Sequence, residues 1–567
     1  MPTLNWIGKE AVINHHLDVP FHLLKDVSEL GCGDPGSGNL IVEGDNLLAL
    51  KALLPYYKGK VKCICIDPPY NTGNEGWAYN DNVNSPAIKK WLGETVGKEG
   101  ETLDRHDRWL CMMYPRLALL REFLSEDGSI FIFLDDNEIG HLRLIMDEVF
   151  GANHLVCTVA WQRRISPDAR LGLGLAHDHV LVFAKNIACS AFNKVPTSVE
   201  QAANFKNPDN DPRGEWVSTD FSAQGWRPNQ MYKIQTPGGA EYEPPPNRCW
   251  GNIESEFLRL KAEGRMWFGK DGRSRPRVKT YLKETEGVSA WSWWPHEETG
   301  HNQEAKKELT SVMGTDVPFA TPKPTRLIER ILQIATNPGD LVLDSFAGSG
   351  TTGHAVLKMN AAQEGSAGTP ARLDPHGGEA ATNEEADKSV RAPLDGASLK
   401  DRRFILVEMD EKIAPDITRE RVKRVAEGYT NAKGEQVPGL GGGFRYVRLG
   451  EAVFDEHGRI RESVRFADLA RHVYFTETGE PLPKERVSAK TPLLGIHHGR
   501  AVYLLYNGIL KDKSVDGGNV LTSETLAHLP AHDGPKIVYA AGCRFSKTRL
   551  EREGITFKQT PYAIRTR

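Results

Sequence analysis

The sequence contains no run of apolar residues long enough to cross a bilayer. Its first residues also lack the charged-then-apolar pattern of an export signal. The eight cysteines are scattered, with neither a CxxC pair nor a Cys/His spacing typical of a metal site. These absences exclude a membrane span and argue against export, a disulfide framework and a bound metal. We therefore expect a cytoplasmic protein with reduced cysteines.

An excess of charge of one sign is also missing. The 71 Lys and Arg residues nearly balance the 75 Asp and Glu residues, for a net charge of −4. This balance argues against a uniformly basic nucleic-acid binder, but it permits a local basic face because binding depends on clustered charge. The sequence also lacks an internal repeat, a Walker-type helicase motif and a nuclease motif. At 567 residues it is too long for one ordinary core.

Strand-like and helix-like segments alternate from about residue 39 to 160 and again after residue 311, so residues 1–160 and 311–430 are predicted to form the two parts of one domain. Such alternation predicts an α/β fold with a doubly wound, mostly parallel sheet. Between them, residues 161–310 hold eight of the twelve tryptophans and show weaker periodicity, which predicts an inserted domain. Residues 361–400 are small, polar and rich in Gly and Pro, which is typical of a flexible insertion. Residues 431–567 are predicted to form a small C-terminal domain of open role.

The segment CICIDPPYNTG contains the most informative motif, Asp67-Pro68-Pro69-Tyr70. Four apolar residues predict a buried parallel strand, so Asp67 falls at a carboxyl end, where open α/β sheets place their chemistry. Asp67 and the carbonyl of Pro68 would accept hydrogen bonds, and the ring of Tyr70 would stack on a flat heterocycle. The motif therefore suits an exocyclic amino group on a base. A simple turn, with Asp as its cap, is the alternative.

A second motif, DSFAGSGTT, begins at Asp344 between a predicted strand and a predicted helix. Its glycines let a ligand approach the backbone closely, and the helix that follows offers free N–H groups. Gly348, Gly350 and Gly353 also satisfy G-x-G-x-x-G, so a nicotinamide-dependent oxidoreductase is a competing interpretation. The bulky Phe346 disfavours it. Glu408, at the end of the next predicted strand, would accept hydrogen bonds from ribose hydroxyls whichever nucleoside cofactor is bound.

In their order and in their amino-acid sequences, these motifs resemble those of the β-group of amino-methylating DNA methyltransferases. The resemblance is carried by GDNLLAL, DPPYNTG, TPKPTRLIERIL and LDSFAGSGTTGHAVL, and it extends over roughly residues 5–450. In that group the target-base motif precedes the cofactor motif, and a target-recognition segment lies between them. The chain is most similar to modification subunits of type III restriction–modification systems, which implies a bacterial or archaeal source.

The resemblance implies S-adenosylmethionine as cofactor and the N6 amino group of a flipped-out adenine as target. N4 of cytosine stays the alternative, because the two amines are similar and Asp rather than Ser at the first motif position favours adenine only by resemblance. Asp67, Pro68, Pro69 and Tyr70 would then be the catalytic residues. The implied cofactor-binding residues are Asp45, Lys323, Asp344, Phe346, Gly348, Gly350 and Glu408. For Lys323 a plain helix-leading segment is the alternative.

A basic run in the middle segment, GRMWFGKDGRSRPRVKTYL, interleaves cations with aromatic residues. Such residues can contact phosphates and bases, so the run predicts a face for double-stranded DNA. A solvated basic loop is the alternative. The predicted DNA-binding residues are Arg265, Lys270, Arg273, Arg275, Arg277 and Lys279. The His177 and His179 pair suggests a structural strand edge, and we assign no metal to it.

The family resemblance also implies partners. Homodimerisation is expected, as is a separate restriction subunit with helicase and nuclease activity, since the chain carries no such motif. Two different classes remain open: a non-catalytic subunit that only confers DNA specificity, and the nicotinamide-dependent oxidoreductase. Methylation of protein or RNA amines is disfavoured by the large middle segment.

Overall fold

The computed structural model describes residues 3–72, 93–94, 105–166, 172–196, 202–285, 287–315, 317–366, 401–457, 459–482, 491–506, 519–561 and 563. The chain divides into two compact units. We call Met1–Phe192 with Trp291–Arg567 the large unit, and Asn193–Ala290 the small unit. The small unit is shorter than the predicted insertion at 161–310, because residues 161–192 and 291–310 belong to the large unit.

The N-terminal part of the large unit supplies seven strands. These are β1 (His22–Asp26), β2 (Cys32–Gly33), β3 (Leu40–Glu43), β4 (Val61–Ile66), β5 (Leu124–Leu134), β6 (Leu155–Gln162) and β7 (His177–Ala184). β4 is the strand predicted before Asp67, and β3 ends two residues before Asp45. Every residue of β3, and all but one of β4, is buried, as expected for strands covered on both faces.

The small unit is built from short antiparallel strands and one helix, Glu254–Ala262. Its strands are β8 (Trp216–Asp220), β9 (Ser222–Gln224), β10 (Ile234–Gln235), β11 (Glu241–Tyr242), β12 (Arg248–Trp250), β13 (Met266–Trp267) and β14 (Arg277–Tyr281). β13, β14 and β8 pair in that order. Phe221, Trp250 and Phe257 pack in its core, so this unit has a hydrophobic centre of its own.

The chain then returns to the large unit. The remaining strands are β15 (Trp293–Trp294), β16 (Leu341–Asp344), β17 (Arg403–Glu408), β18 (Gly428–Thr430), β19 (Gln436–Pro438), β20 (Gly443–Ala452), β21 (Leu493–His497), β22 (Arg500–Leu504), β23 (Val520–Leu521), β24 (Lys536–Ala540), β25 (Gly542–Cys543) and β26 (Ile555–Gln559). β16 and β17 are the strands predicted around the glycine-rich motif.

Within the described residues, the main sheet has the order β1-β20-β3-β17-β16-β4-β5-β7-β6-β15, and β2 pairs with β20. The consecutive pairs from β20 to β5 are all parallel, whereas β7 runs antiparallel to both β5 and β6. The sheet is therefore mostly parallel, and the predicted α/β class is confirmed.

Helices connect the parallel strands at the predicted places. The large unit contains Lys9–Val12, His15–Asp18, Asn46–Tyr57, Arg105–Phe123, Ile139–Met146, His296–Thr299, Asn302–Met313, Thr325–Ala335, Thr351–Ser366, Glu420–Glu427, Phe466–Thr478, Ser523–Ala527 and Lys547–Arg552. The helix Asn46–Tyr57 ends two residues after Pro55. In the part of the chain that the structure describes, no helix is both long and apolar enough to cross a membrane.

The predicted flexible insertion and the predicted C-terminal domain both differ from the structure. The start of the predicted insertion at 361–400 continues the helix Thr351–Ser366, and residues 367–400 lie outside the described residues. Residues 431–567 do not form a unit of their own, because β20 adds to the main sheet. A four-stranded sheet, β21-β22-β24-β26, follows, and Phe21 packs in the same core as Val473 and Tyr539.

Candidate active site

Acidic residues collect at one edge of the main sheet, where its parallel strands end. β3, β17, β16 and β4 are neighbours in that order and run in the same direction. Asp45, Glu408, Asp344 and Asp67 end or follow those four strands, and Asp135 follows β5. Because the carboxyl ends of adjacent parallel strands meet at one edge, the four acids predicted from distant parts of the sequence form one row.

A cavity of about 170 Å³ opens at this edge. Both predicted motifs contribute to its wall, the target-base motif from β4 and the glycine-rich turn from β16. The predicted residues that line it are Asp67, Pro68, Pro69, Tyr70, Lys323, Asp344, Phe346 and Gly348. Asp45, Gly350 and Glu408 are not among the described residues that line it. The fold thus brings the two motifs of the predicted reaction to one cavity.

Lys323 and Asp67 form an ion pair in this cavity. Nζ of Lys323 donates a hydrogen bond of 2.5 Å to Oδ2 of Asp67. The same ammonium lies 5.0 Å from the ring centroid of Tyr70 and 5.5 Å from that of Phe133. Such contacts attract a cation to the ring face. Lys323, predicted beside the cofactor, is therefore also held against the target-base motif.

The loop that carries Tyr70 is fixed from behind by the helix Arg105–Phe123. The indole N–H of the fully buried Trp109 donates to the carbonyl of Pro69 at 2.7 Å. The next residue, Asn71, has a left-handed backbone with φ 58°, and its amide donates to the carbonyl of Arg105 at 3.0 Å. These bonds hold the motif in one backbone conformation, as a preorganised acceptor site requires.

The glycine-rich turn is organised around the buried carboxylate of Asp344. Oδ1 accepts from the backbone N–H of Phe346 at 3.0 Å, and Oδ2 accepts from the hydroxyl of Thr352 at 2.6 Å. Gly350 has φ +76°, and a Cβ there would lie 2.9 Å from the carbonyl oxygen of Thr418. Only glycine fits this position, because any side chain would meet both a disfavoured backbone conformation and a neighbouring carbonyl.

The surroundings of Asp344 raise its pKa to about 7. Burial is the largest cause, since it penalises the charged form, and the charges of Asp67 and Glu408 add to it. The hydrogen bonds from Thr352 and Phe346 act in the opposite direction. The protonated form of this carboxyl group in the wall of the cavity is therefore favoured well above the pH at which an exposed aspartate loses its proton.

Glu408 supports the turn from the neighbouring strand. Its carboxylate accepts from the backbone N–H of Gly348 at 2.8 Å and from that of Asp410 at 3.0 Å. The residue is 1% exposed. Its position beside the glycine-rich turn agrees with the predicted placement, and its contact with a ribose stays a prediction.

Asp45 caps the helix that follows β3. One carboxylate oxygen accepts from the N–H groups of Leu47 at 2.9 Å and Leu48 at 3.1 Å, and Arg116 contacts the other oxygen at 3.3 Å. The side chain remains about one third exposed. An N-cap satisfies free N–H groups of a helix, so Asp45 has a structural role in addition to its predicted role near the cofactor.

Comparison with known families gives a decisive match. The family model described as DNA methylase, N6/N4 methyltransferase, matches residues 61–419. The chain belongs to this family. The matched segment begins at the first residue of β4 and extends past Glu408, so it includes both motifs that line the cavity.

The chain is similar to modification subunits of type III restriction–modification enzymes. The StyLTI Mod subunit of Salmonella typhimurium is 37% identical over 343 residues, which are 57% of this chain and 50% of the relative. The EcoPI Mod subunit of Escherichia phage P1 is 32% identical over 411 residues, 64% of this chain and 62% of the relative. The chain thus spans about half to three fifths of the length of these relatives. Among solved structures, PvuII DNA methyltransferase (cytosine-N4-specific) is 12% identical, covers 70% of this chain and 94% of its own, and gives a TM-score of 0.32.

Several residues of the cavity were not among the predicted site residues. Arg163, at the end of β6, and Asp178, on β7, line it together with Phe133 and Asp135. Nε of Arg163 lies 3.0 Å from Oδ1 of Asp178. A signal existed for Asp135, which directly follows the apolar strand IFIFL. Arg163 and Asp178 carried no such signal in the sequence, because only the antiparallel pairing of β6 with β7 brings them together.

Burial also perturbs the second carboxyl group of the cavity. It raises the pKa of Asp178 to about 6, and the charges of Arg163 and Lys323 oppose that shift. Two acids in one cavity therefore titrate near neutral pH. Strongly perturbed carboxyl groups in a cleft are typical of functional sites.

The structure divides the predicted DNA-binding residues into two groups. Lys270, Arg273, Arg275 and Arg277 are exposed on the small unit. Lys279 is 6% exposed and forms ion pairs with Asp209 and Asp211, so it is part of the interior of this unit. Arg265 is partly buried and paired with Glu284 at 2.7 Å. The expectation that Lys279 lies on a DNA-binding face was wrong, because the carboxylates of Asp209 and Asp211 enclose its ammonium in the interior of this unit.

Proposed function

We propose that this chain is a DNA methyltransferase that transfers a methyl group from S-adenosylmethionine to the N6 amino group of adenine within a recognition sequence. The observation that carries the proposal is the single cavity lined by Asp67, Tyr70 and Phe346. Membership of the DNA methylase family supports it. The similarity to the StyLTI and EcoPI Mod subunits supports a place as the modification component of a restriction–modification system.

The cavity suits the proposed cofactor. Its wall includes the ring of Phe346, the backbone of Gly348 and several carboxyl groups, a combination that accommodates a cationic group beside an apolar surface. Phe346, Gly348 and Asp344 would hold the methionine portion, Gly350 and Glu408 would shape the turn, and Asp45 would lie towards the adenine portion. S-adenosylmethionine, when bound, supplies an activated methyl group on its sulfonium.

The protein's task is to prepare the nucleophile. The lone pair of an adenine amino group is shared with the ring, which makes the nitrogen a weak nucleophile. The two N–H groups of that amino group would donate hydrogen bonds to Asp67 and to the carbonyl of Pro68, which would orient its lone pair towards the methyl group. Tyr70 would stack on the base. Pro69 keeps the loop rigid with its carbonyl anchored by Trp109, so that positioning is the main contribution to rate.

DNA must be distorted for this chemistry. The amino group of a base in duplex DNA is out of reach of a cavity, so the base would be flipped out of the stack. The exposed basic residues Lys270, Arg273, Arg275 and Arg277 would contact the duplex as part of a target-recognition segment. We further propose that the chain forms homodimers. We also propose that it works with a separate restriction subunit, since the relatives are named as subunits of restriction–modification enzymes.

The test is direct methylation by the purified full chain. DNA of mixed sequence is incubated with isotopically labelled S-adenosylmethionine, digested to nucleosides and analysed by mass spectrometry. We expect label in N6-methyladenine, and Asp67→Ala should abolish it while cofactor binding, measured by calorimetry, is retained. Label in N4-methylcytosine would instead identify cytosine as the target base. Cofactor and DNA binding without labelled nucleoside would favour a specificity subunit, and binding of NAD in place of S-adenosylmethionine would favour an oxidoreductase.

A further inference from the structure

A group of three potential metal ligands lies behind the loop that carries Tyr70. His106 is in the first turn of the helix Arg105–Phe123, and His141 is in the helix Ile139–Met146. Glu138 immediately precedes that second helix, three residues before His141. We call His106, Glu138 and His141 the His–Glu–His cluster. Their ligand atoms all lie within 4.8 Å of one another.

The two imidazoles converge on one carboxylate. Nδ1 of His106 lies 2.7 Å from Oε1 of Glu138, and Nδ1 of His141 lies 2.7 Å from Oε2. Imidazole nitrogen and carboxylate oxygen are ligands that zinc and neighbouring first-row metals bind, and three such protein ligands form a site with one open position. Both histidine side chains are about one third exposed, so an ion from solvent can reach the cluster.

The charge of Glu138 gives the independent argument. Its side chain is 0% exposed, and a buried carboxylate needs a cationic partner. Within the described residues, the ion pairs of Glu138 are limited to His106 and His141, and an imidazole is a cation only when doubly protonated. Nε of Arg105 donates to Nε2 of His106 at 3.3 Å. A divalent ion bound among the three side chains would lie directly against this buried carboxylate and compensate its charge.

We propose that the His–Glu–His cluster binds one divalent transition-metal ion of the zinc class. Nδ1 of each histidine and one oxygen of Glu138 are its protein ligands. Oxygen-preferring ions such as Mg²⁺ are disfavoured, because two of the three ligands are nitrogens. The expectation of no metal had relied on sequence spacing, which does not reveal a site whose first histidine lies 32 residues before its glutamate.

The cluster is connected to the candidate active site through Asn71. The amide of Asn71 donates to Oε1 of Glu138, and Asn71 follows Tyr70 directly in the chain. Ligands are commonly oriented by such outer hydrogen bonds. A bound ion would fix Glu138 and, through it, the left-handed backbone at Asn71. The ion is therefore structural, and Glu138 is a positioning residue for the target-base loop.

Metal binding by the full-length chain tests the proposal. The protein is treated with a chelator, dialysed and titrated with Zn²⁺ by calorimetry, and with Co²⁺ by visible absorption, which reports nitrogen and oxygen ligation. We expect one ion per chain, a higher melting temperature with the ion, and loss of the high-affinity ion in the double variant His106→Ala/His141→Ala. His528→Ala, which changes an exposed histidine outside the cluster, should bind as the wild type does.

Arg105 provides a sharper variant. Because its side chain donates to the nitrogen that must carry the proton once Nδ1 binds metal, Arg105→Ala should bind Zn²⁺ more tightly, and circular dichroism should show an unchanged fold. Absence of stoichiometric binding by the wild type would overturn the proposal. So would equal affinity of the wild type and the double histidine variant. Neither result bears on methylation, so the proposed function is tested separately.

Discussion

Nζ of Lys323 lies 2.5 Å from Oδ2 of Asp67, although 256 residues separate the two in the chain. The pair joins the segment TPKP to the target-base motif within one cavity. Lys323 is only 10% exposed at its side chain, so solvent screens the pair weakly. A charge-assisted hydrogen bond of this kind fixes the orientation of the carboxylate. Lys323 therefore positions the proposed acceptor of the target amino group.

The ion pair predicts coupled effects of substitution. Lys323→Ala should lower kcat for methylation by roughly 10-fold to 100-fold, because a misplaced acceptor group reduces the rate on that scale. The double variant Asp67→Asn/Lys323→Ala should be no slower than Asp67→Asn, which keeps an acceptor oxygen and a measurable rate, since Lys323 acts through the Asp67 carboxylate. Single-turnover methylation measures both effects. Fully additive losses in kcat would show that Lys323 acts independently of Asp67.

Gly350 should tolerate no side chain. Gly350→Ala combines a disfavoured φ of +76° with a Cβ only 2.9 Å from the carbonyl oxygen of Thr418. Gly441 is a matched control, because it also has φ +76° but no atom within 4 Å of its Cβ position. We expect Gly441→Ala to cost about 1 kcal/mol of unfolding free energy, and Gly350→Ala to cost roughly 1–3 kcal/mol more. Urea denaturation compares them, and equal costs would show that the contact with Thr418 is unimportant.

The pKa of Asp344 predicts how stability changes with pH. It is about 7 in the folded chain against an ordinary value of 3.8. Between these values the unfolded chain binds fewer protons than the folded chain, so stability is lost as pH rises, by up to about 1.4 kcal/mol per pH unit. Asp344→Asn removes this titration. Its melting temperature relative to wild type should therefore increase from pH 4 to pH 7 and then level off; parallel curves would contradict the assigned shift.

Two lysines of the small unit should behave differently. Lys270 is exposed, so Lys270→Ala should weaken DNA binding and reduce the slope of log K against log salt by about 1. Lys279 pairs with Asp209 and Asp211 in the interior, so Lys279→Met should destabilise the protein by about 3 kcal/mol and leave that slope unchanged. Fluorescence anisotropy over a salt series and thermal denaturation separate the two. An altered slope for Lys279→Met would show that Lys279 contacts DNA after all.

The sequence predicted the parts of this protein whose signals are local. Apolar runs that end in Asp67, Asp344 and Glu408 identify parallel strands, because such strands are buried on both faces. The carboxyl ends of those strands then had to share one edge of the sheet, so a common site followed from the pattern. The glycine at 350 was also predictable, since a tight turn before a helix requires it.

Tertiary structure alone decided what depends on pairing between distant segments. Lys323 contacts Asp67, Arg163 contacts Asp178, and His106 approaches Glu138 only after the chain has folded. It also decided that Lys279 is buried and that β20 completes the main sheet. Charged side chains carry no periodicity that identifies their partners, because their free energy depends on distance and burial in the folded chain. The sequence therefore determined where the chemistry lies, and the fold determined which charges surround it.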